Sequence, residues 1–284
     1  MTIKAQDVKE LREKTGLGMM ECKKALQEAN GNLDDAIKNL RKSSALKAEK
    51  KASRTAVEGV ILSKLSEKEI IFVEVNCETD FVAKDENFIS FCNETLNTAI
   101  ELSSKENLLN EVSKSMEEQR MSLVQKIGEN IIIRKIEKVS GETLESYIHS
   151  NNKIAAGVSL QEGGKEIAKE IAMHIAATNP LVISPGDLDE SYINSEREIF
   201  KSQVEKENKP EEIREKMIEG KLNKQLADVS LLKQPFVKDP SKTVEVFLSE
   251  SNAKISSFVR LEVGEGIEVE KKDFAEEVQS QLES

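Results

Sequence analysis

A short run of mixed side chains offers recognition chemistry in this chain. It reads Cys77-Glu78-Thr79-Asp80-Phe81-Val82 and places two carboxylates, a hydroxyl and an aromatic ring within six residues. Carboxylates can orient a partner through charge-assisted hydrogen bonds, and an aromatic ring beside them can bury a large apolar surface. We therefore treat this run as the candidate recognition site.

The flanking sequence predicts that the run joins a strand to a helix. Residues 69–75 are mostly apolar and β-branched, which is typical of a buried strand. After the run, apolar side chains recur at helical spacing: Phe88, Ile89, Phe91, Cys92, Leu96 and Ile100. Loops held between rigid elements are favoured places for function.

Two interpretations of the run follow from its residue types. In the first, Thr79 or Asp80 caps the following helix, while Phe81 and Val82 pack its first turn against the core. In the second, Asp80 and Phe81 point outward as a polar and apolar pair that inserts into another protein. Residue types alone leave both interpretations open.

Composition limits the classes of function. With 284 residues, 38% of them hydrophobic, the chain can bury a core, and its length suggests about two domains. The net charge of −11 argues against a nucleic-acid binder and favours partners with basic surfaces. No apolar run reaches the roughly 20 residues of a membrane span, and the first residues do not resemble a signal peptide. We expect a cytoplasmic protein.

Several kinds of chemistry lack the residues they require. Cys22, Cys77 and Cys92 are odd in number and widely separated, so neither a disulfide framework nor a metal site is predicted. Residues 164–166 read Gly-Lys-Glu, which does not complete a phosphate-binding loop. Neither of the two histidines has an identifiable nucleophile and carboxylate beside it. The sequence therefore predicts neither an enzyme nor a bound cofactor.

The first 45 residues predict a small helical module. Within 1–45, three short helical patterns are separated by glycine-containing breaks at residues 15–18 and 30–32, where helix ends favour glycine. Residues 46–54 carry few apolar side chains and mainly positive charge, which predicts a solvated helical linker. The module at residues 1–45 is small enough to have little core, and it would be only marginally stable alone.

The middle of the chain predicts an α+β fold with a duplicated core and antiparallel sheets. A pattern of strand, turn and helix appears within residues 55–140 and again within 141–187, and residues 230–266 return a strand to the second set. His149 falls in a predicted polar turn. His174 falls near the apolar stripe of the second helix, where a packing role is predicted.

Two helical additions complete the predicted architecture. Residues 188–229 are rich in Glu and Lys, and their sparse apolar positions predict an inserted helical hairpin with a thin seam. Residues 267–284 predict a short amphipathic C-terminal helix, because three apolar side chains share one helical face: Phe274, Ala275 and Val278.

Three motifs resemble signatures of the bacterial translation elongation factor Ts family. The run 77–82 resembles its central signature, residues 15–26 resemble its N-terminal motif, and residues 231–240 resemble a further one. At Leu17 and Glu21 the family more commonly has Ala and Asp, which are mild departures. The resemblance extends over nearly the whole chain.

The resemblance implies a guanine nucleotide exchange factor that binds elongation factor Tu, both GDP-bound and nucleotide-free. It implies that 1–45 is a ubiquitin-associated-type (UBA-like) three-helix module, that 188–229 is a coiled-coil arm, and that the C-terminal module contacts the partner. It also implies the outward orientation of the Asp80 and Phe81 pair. The side chains implied to bind the partner are Thr79, Asp80, Phe81, Val82, His149, Met19 and Met20.

Two other function classes stay open at this stage. An adaptor would bind a helical or ubiquitin-like partner mainly through residues 1–45. An enzyme would present a pocket with perturbed groups near Cys77 or His149. The oligomeric state is also open, because the 188–229 arm could pair with the arm of a second copy.

Overall fold

A computed structural model describes residues 3–66, 68–205 and 209–268. The helices are α1 Ala5–Thr15, α2 Met19–Glu28, α3 Leu33–Lys51, α4 Glu86–Glu101, α5 Leu108–Ile127, α6 Lys165–Thr178, α7 Glu190–Val204, α8 Glu211–Asp228 and α9 Val244–Glu250. The strands are β1 Glu58–Leu65, β2 Glu69–Cys77, β3 Ile132–Ser140, β4 Thr143–Ile148, β5 Ile154–Glu162, β6 Pro235–Phe236, β7 Asp239–Thr243 and β8 Lys254–Glu262. The predicted α+β class is confirmed.

The described residues divide into two compact units. The first comprises residues 3–62, 73–136 and 262–268. The second comprises residues 63–66, 68–72, 137–205 and 209–261. Most of the C-terminal helix predicted at 267–284 lies outside the described residues.

The three N-terminal helices surround a small core of their own. Leu11, Cys22, Leu26 and Ala36 are fully buried in it. The side chain of Asn32 begins α3 by accepting hydrogen bonds from two backbone N–H groups of the first turn. The third helix extends beyond the module expected at 1–45 and continues through most of the expected linker to Lys51.

The second half of α3 packs against α5, and this packing accounts for its length. Ser44 and Ala48, four residues apart, are buried, as expected for one helix face that contacts a neighbour. Ser44 donates a hydrogen bond to Gln125 of α5, and Arg41 forms a 2.7 Å ion pair with Glu118. The segment predicted as a solvated helical linker is therefore helical as far as Lys51, but one of its faces is buried against α5.

A three-stranded sheet in the order β1-β2-β3 carries a buried carboxylate at its centre. Glu74 is fully buried in β2, and its Oε1 accepts hydrogen bonds from Arg134 Nη1 at 2.8 Å and from the N–H of Gly264 at 3.0 Å. Gly264 has a φ of +75°, and a Cβ at this position would lie 2.5 Å from the carbonyl oxygen of Val57. Within the first unit, Glu74 and Gly264 thus hold the residues that follow β8 close to β2 and Val57.

The second unit contains a sheet in the order β4-β5-β8, covered by α6. β4 pairs with β5 in antiparallel register, with Thr143 opposite Leu160 and Ile148 opposite Ala155. His149, predicted to lie in a polar turn, follows directly after β4, and the preceding Tyr147 and Ile148 belong to the strand. Pairing with the apolar β5 stabilises this strand despite its polar composition.

Helices α7 and α8 pack against each other within the segment expected to form an arm. Val204 and Leu222 are their buried apolar side chains, and polar pairs join the two helices, including Tyr192 with Gln225 at 3.3 Å. Ile199 is about half exposed. The described part of this segment therefore has a thin apolar seam.

A buried histidine connects α6 to the segment that follows α8. Nδ1 of His174 accepts the N–H of Val237 at 3.1 Å, so its proton is on Nε2 and is donated to Gln234 Oε1 at 3.0 Å. Gln234 Nε2 in turn donates a 2.7 Å hydrogen bond to the carbonyl oxygen of Asp228 at the end of α8. The predicted packing role of His174 is confirmed, because its side chain is fully buried.

This histidine predicts a pH dependence of stability. Burial lowers the pKa of folded His174 below its ordinary value of 6.5, so the unfolded chain binds more protons as the pH falls below that value. The stabilisation is fully present above about pH 6.5 and is lost as the pH falls toward the lower, folded pKa. Urea midpoints measured between pH 5 and pH 8 should decrease on the acid side.

The two histidines of the chain provide a matched control. His149→Gln should retain the acid-side decrease, whereas His174→Gln should flatten it, because a glutamine at 174 does not titrate. Equal pH profiles for the two variants would contradict the assignment to His174.

Candidate partner-binding site

The recognition run lies between two buried anchors. β2 ends at Cys77, which is fully buried, and a short 3-10 turn begins at Val82, which is 9% exposed, with buried Ala83 following it. Only residues 78–81 lie between these anchors. The segment expected to contact a partner is therefore a short loop whose two ends are both held in the core.

Phe81 is the most exposed large hydrophobic side chain described, at 81%. Its neighbour Asp80 accepts a 2.8 Å hydrogen bond from Lys84 at the surface, and this bond raises the pKa of Lys84. An aromatic ring and a carboxylate thus stand side by side at the surface. A ring in this position is placed to bury apolar area against another molecule.

The helix after the loop is capped by Asp85, and the interpretation that Thr79 or Asp80 caps it is wrong. The Asp85 carboxylate accepts the N–H groups of Asn87 at 2.8 Å and Phe88 at 3.3 Å. Hydrogen bonding, chiefly from the Asn87 side chain, lowers the pKa of Asp85. Phe81 does not pack the first turn either, because its ring is exposed; Phe88 does so.

The loop is held from outside by a carboxylate from a distant part of the sequence. Glu129 lies just after α5, and one of its oxygens accepts the N–H groups of Glu78 at 3.0 Å and Thr79 at 3.1 Å. Its other oxygen accepts the Thr79 hydroxyl at 2.7 Å. Glu78 accepts the N–H of Asn130 at 2.6 Å in return. We call Glu78, Glu129 and Asn130 the carboxylate clamp.

The two methionines expected to bind a partner open α2 in the same unit. Met19 is 56% exposed and Met20 is 77% exposed. The next residue, Glu21, accepts hydrogen bonds from Lys47 at 2.5 Å and from Gln125 at 2.7 Å. Burial alone would raise the pKa of Glu21, but these two bonds outweigh burial and lower it. The methionines therefore begin a helix that is fixed to α3 and α5.

His149 belongs to the second unit and lies between β4 and β5. Its imidazole is exposed, and Nδ1 lies 2.9 Å from the hydroxyl of Tyr147. Its backbone N–H donates to the carbonyl oxygen of Ile154 at 2.8 Å, which fixes the turn between the strands. The ring is thus presented at the surface by a regular hairpin.

Sequence reasoning missed Asp85, Glu129 and Asn130. For Asp85 a local signal exists, because an Asp three residues before buried Phe88 suits a helix cap. Glu129 contacts a residue 50 positions away, so no local spacing indicates it.

Among the described residues, no group of His, Cys, Asp and Glu is arranged to hold a metal ion. The described helices also include none that could cross a membrane.

Comparison with known proteins assigns the family. A family model described as "Elongation factor TS" matches residues 78–265. The chain belongs to the elongation factor Ts family. An elongation factor Ts of Marinobacter nauticus is 52% identical over 97% of this chain and 96% of its own length. One from Hahella chejuensis is 50% identical over 99% and 98%, and one from Pasteurella multocida is 48% identical over 97% of each.

The elongation factor Ts match begins within the recognition loop. It starts at Glu78 and therefore includes Asp80, Phe81 and His149. Met19 and Met20 precede it, but the similarity to the full-length relatives covers nearly the whole chain. The resemblance that the motifs indicate is thus confirmed at the level of the family.

The exposure of Phe81 predicts that its ring contributes little to folding. Phe81→Ala should change the free energy of unfolding by less than about 0.5 kcal/mol, as for ordinary surface substitutions. Phe88→Ala removes a fully buried ring of the same size and should lower it by about 3–5 kcal/mol. Urea unfolding followed by circular dichroism measures both. A large loss for Phe81→Ala would restore the packing interpretation.

Proposed function

We propose that this chain is a guanine nucleotide exchange factor of translation elongation that binds elongation factor Tu. It promotes GDP release by disturbing the Mg²⁺ and phosphate site of its partner, so that GTP can rebind. The observation that carries the proposal is the Phe81 ring, 81% exposed on a loop with both ends buried. Membership of the elongation factor Ts family supplies the partner.

Exchange of this kind is a coupling of two binding events. A factor that binds the nucleotide-free partner better than the GDP-bound partner weakens the affinity for GDP, and GDP weakens the affinity for the factor by the same ratio. No covalent bond is made or broken, so the chain acts as a binding protein and not as an enzyme. It requires no cofactor of its own.

The loop residues have separate roles in this proposal. Phe81 inserts into the nucleotide-binding domain and contributes roughly 1.5–3 kcal/mol of apolar burial. Asp80 makes orienting hydrogen bonds, after exchanging its surface pair with Lys84 for partner groups. Thr79 and Val82 form the base of the contact, where Val82 is already buried in its own unit.

Further contacts provide the binding energy that distortion of the partner requires. Met19 and Met20 present flexible apolar side chains, which suit an adaptable protein contact. His149 presents a polar ring from a hairpin turn. In this proposal residues 267–284 bind another face of the partner, and the 188–229 arm is the surface through which a second copy would pair. The protein acts in the cytoplasm, where translation occurs.

The decisive test is release of fluorescent GDP from elongation factor Tu of the same source. The full chain should accelerate release at catalytic amounts. Phe81→Ala should slow this release by about tenfold to a hundredfold, because the lost burial is worth roughly 1.5–3 kcal/mol. Stopped-flow fluorescence at several factor concentrations gives the rates.

A second exposed apolar side chain serves as the matched control. Val246→Ala truncates a residue that is 44% exposed on α9 and should leave the rate unchanged. If a folded Phe81→Ala variant exchanges nucleotide as fast as the unaltered chain, the assignment of the loop fails. If the unaltered chain does not accelerate release from an active partner, the exchange function fails and an adaptor role is favoured.

A further inference from the structure

We infer that Glu129 is a positioning residue for exchange, because its carboxylate holds the loop that presents Phe81. This inference rests on the proposed function and deepens it. Glu129 is half-buried beside the loop, and both of its oxygens are already occupied by loop donors. It acts through the loop without needing to contact the partner.

The geometry concentrates three hydrogen bonds on one side chain. Glu78 and Thr79 follow directly after the last residue of β2, where backbone N–H groups lose their strand partners and need acceptors. Glu129 Oε2 accepts both N–H groups, and Oε1 accepts the Thr79 hydroxyl at 2.7 Å. Hydrogen bonds to a charged acceptor are stronger than neutral ones. One carboxylate thus fixes the direction in which the chain leaves the sheet.

The carboxylate clamp is reciprocal, which makes it a specific join between two backbone segments. Glu78 accepts the N–H of Asn130 at 2.6 Å, and Asn130 Nδ2 donates to the carbonyl oxygen of Arg54 at 2.8 Å. Arg54 also lies 3.5 Å from the Glu78 carboxylate. The loop is therefore held to the connection between α5 and β3, and through it to the residues that follow α3.

The effect on Phe81 follows from its place in the loop. Thr79 lies two residues before Phe81, and the exposed ring makes too few contacts with its own unit to hold itself. Without the Glu129 bonds, residues 78–81 would sample more orientations. Binding would then require ordering of the loop, which lowers the affinity for a partner that needs one orientation. Because of Glu129, the loop is already ordered in the free protein before a partner binds.

Glu129→Gln tests the inference in the full chain. An amide of the same size presents one acceptor oxygen and one NH₂ group, so either the backbone N–H pair or the Thr79 hydroxyl loses its acceptor. We expect acceleration of GDP release at low factor concentration to fall about tenfold, as for the loss of a charge-assisted hydrogen bond. At saturating factor concentration, the rate of GDP release should approach that of the unaltered chain, because binding to the partner then orders the loop.

A double substitution separates positioning from general structural support. If Glu129 acts through Phe81, then Glu129→Gln in a Phe81→Ala background should cause less than about a twofold further loss, because coupled residues are not additive. Glu111→Gln removes a carboxylate within α5 that pairs with exposed Lys114, and should leave exchange unchanged. Independent tenfold losses in the double variant would overturn the inference.

A substitution of Thr79, the hydrogen-bond partner of Glu129, tests the inference if the Glu129 variant does not fold. If Glu129→Gln does not fold, Thr79→Val removes only the hydroxyl and should reproduce the concentration-dependent loss. A folded Thr79→Val variant with unaltered exchange would then reject the inference. Phe81→Ala in the same experiment distinguishes the two levels of failure. Normal exchange by Phe81→Ala rejects the assignment of the loop within the proposed function, whereas a defect in Phe81→Ala alone rejects only the role of Glu129.

Discussion

The structure of the first unit depends on which groups accept hydrogen bonds from the backbone N–H groups at the end of β2. A strand that leaves its sheet exposes backbone N–H groups, and each such group needs an acceptor. Here the acceptor is the Glu129 carboxylate, and Glu78 satisfies the N–H of Asn130 in exchange. Asn130 continues the connection to Arg54. The exposed loop, the end of α5 and the end of α3 are thereby joined through side-chain bonds to backbone.

An exposed aromatic ring is exceptional in a chain so poor in aromatic residues. The protein has nine Phe, two Tyr and no Trp, and rings such as Phe72 and Phe88 are fully buried. Burial of such a ring favours folding by roughly 1.5–3 kcal/mol, so the ring of Phe81 forgoes that stabilisation in the free protein. Buried anchors before and after the loop keep the ring from turning inward. The unused burial is then available for association, which is how a binding protein converts surface into coupling between sites.

Local patterns predicted the elements well and the contacts between them poorly. The helix predicted within residues 141–187 is present as α6, because its apolar spacing is regular and glycines precede it. β4 was missed because its polar residues become a strand only by pairing with β5. The burial of the second half of α3 was missed because its buried face is formed by Ser44 and Ala48, which are not strongly apolar. The exposure of Phe81 could be predicted only from the motif resemblance. The role of Glu129 could not be predicted, because it rests on a contact that no local pattern contains.

The continuity of α3 constrains how this chain can change in length. Each residue inserted into an α-helix advances it by about 1.5 Å and rotates everything before it by about 100°. An insertion between Leu40, in the core of the N-terminal helices, and Ala48, on the face toward α5, would turn α2 and its methionines away from their present direction. Insertions and deletions are therefore tolerable in surface turns, but within α3 only near multiples of a full helical repeat. The helix acts as a ruler that keeps two surfaces in phase.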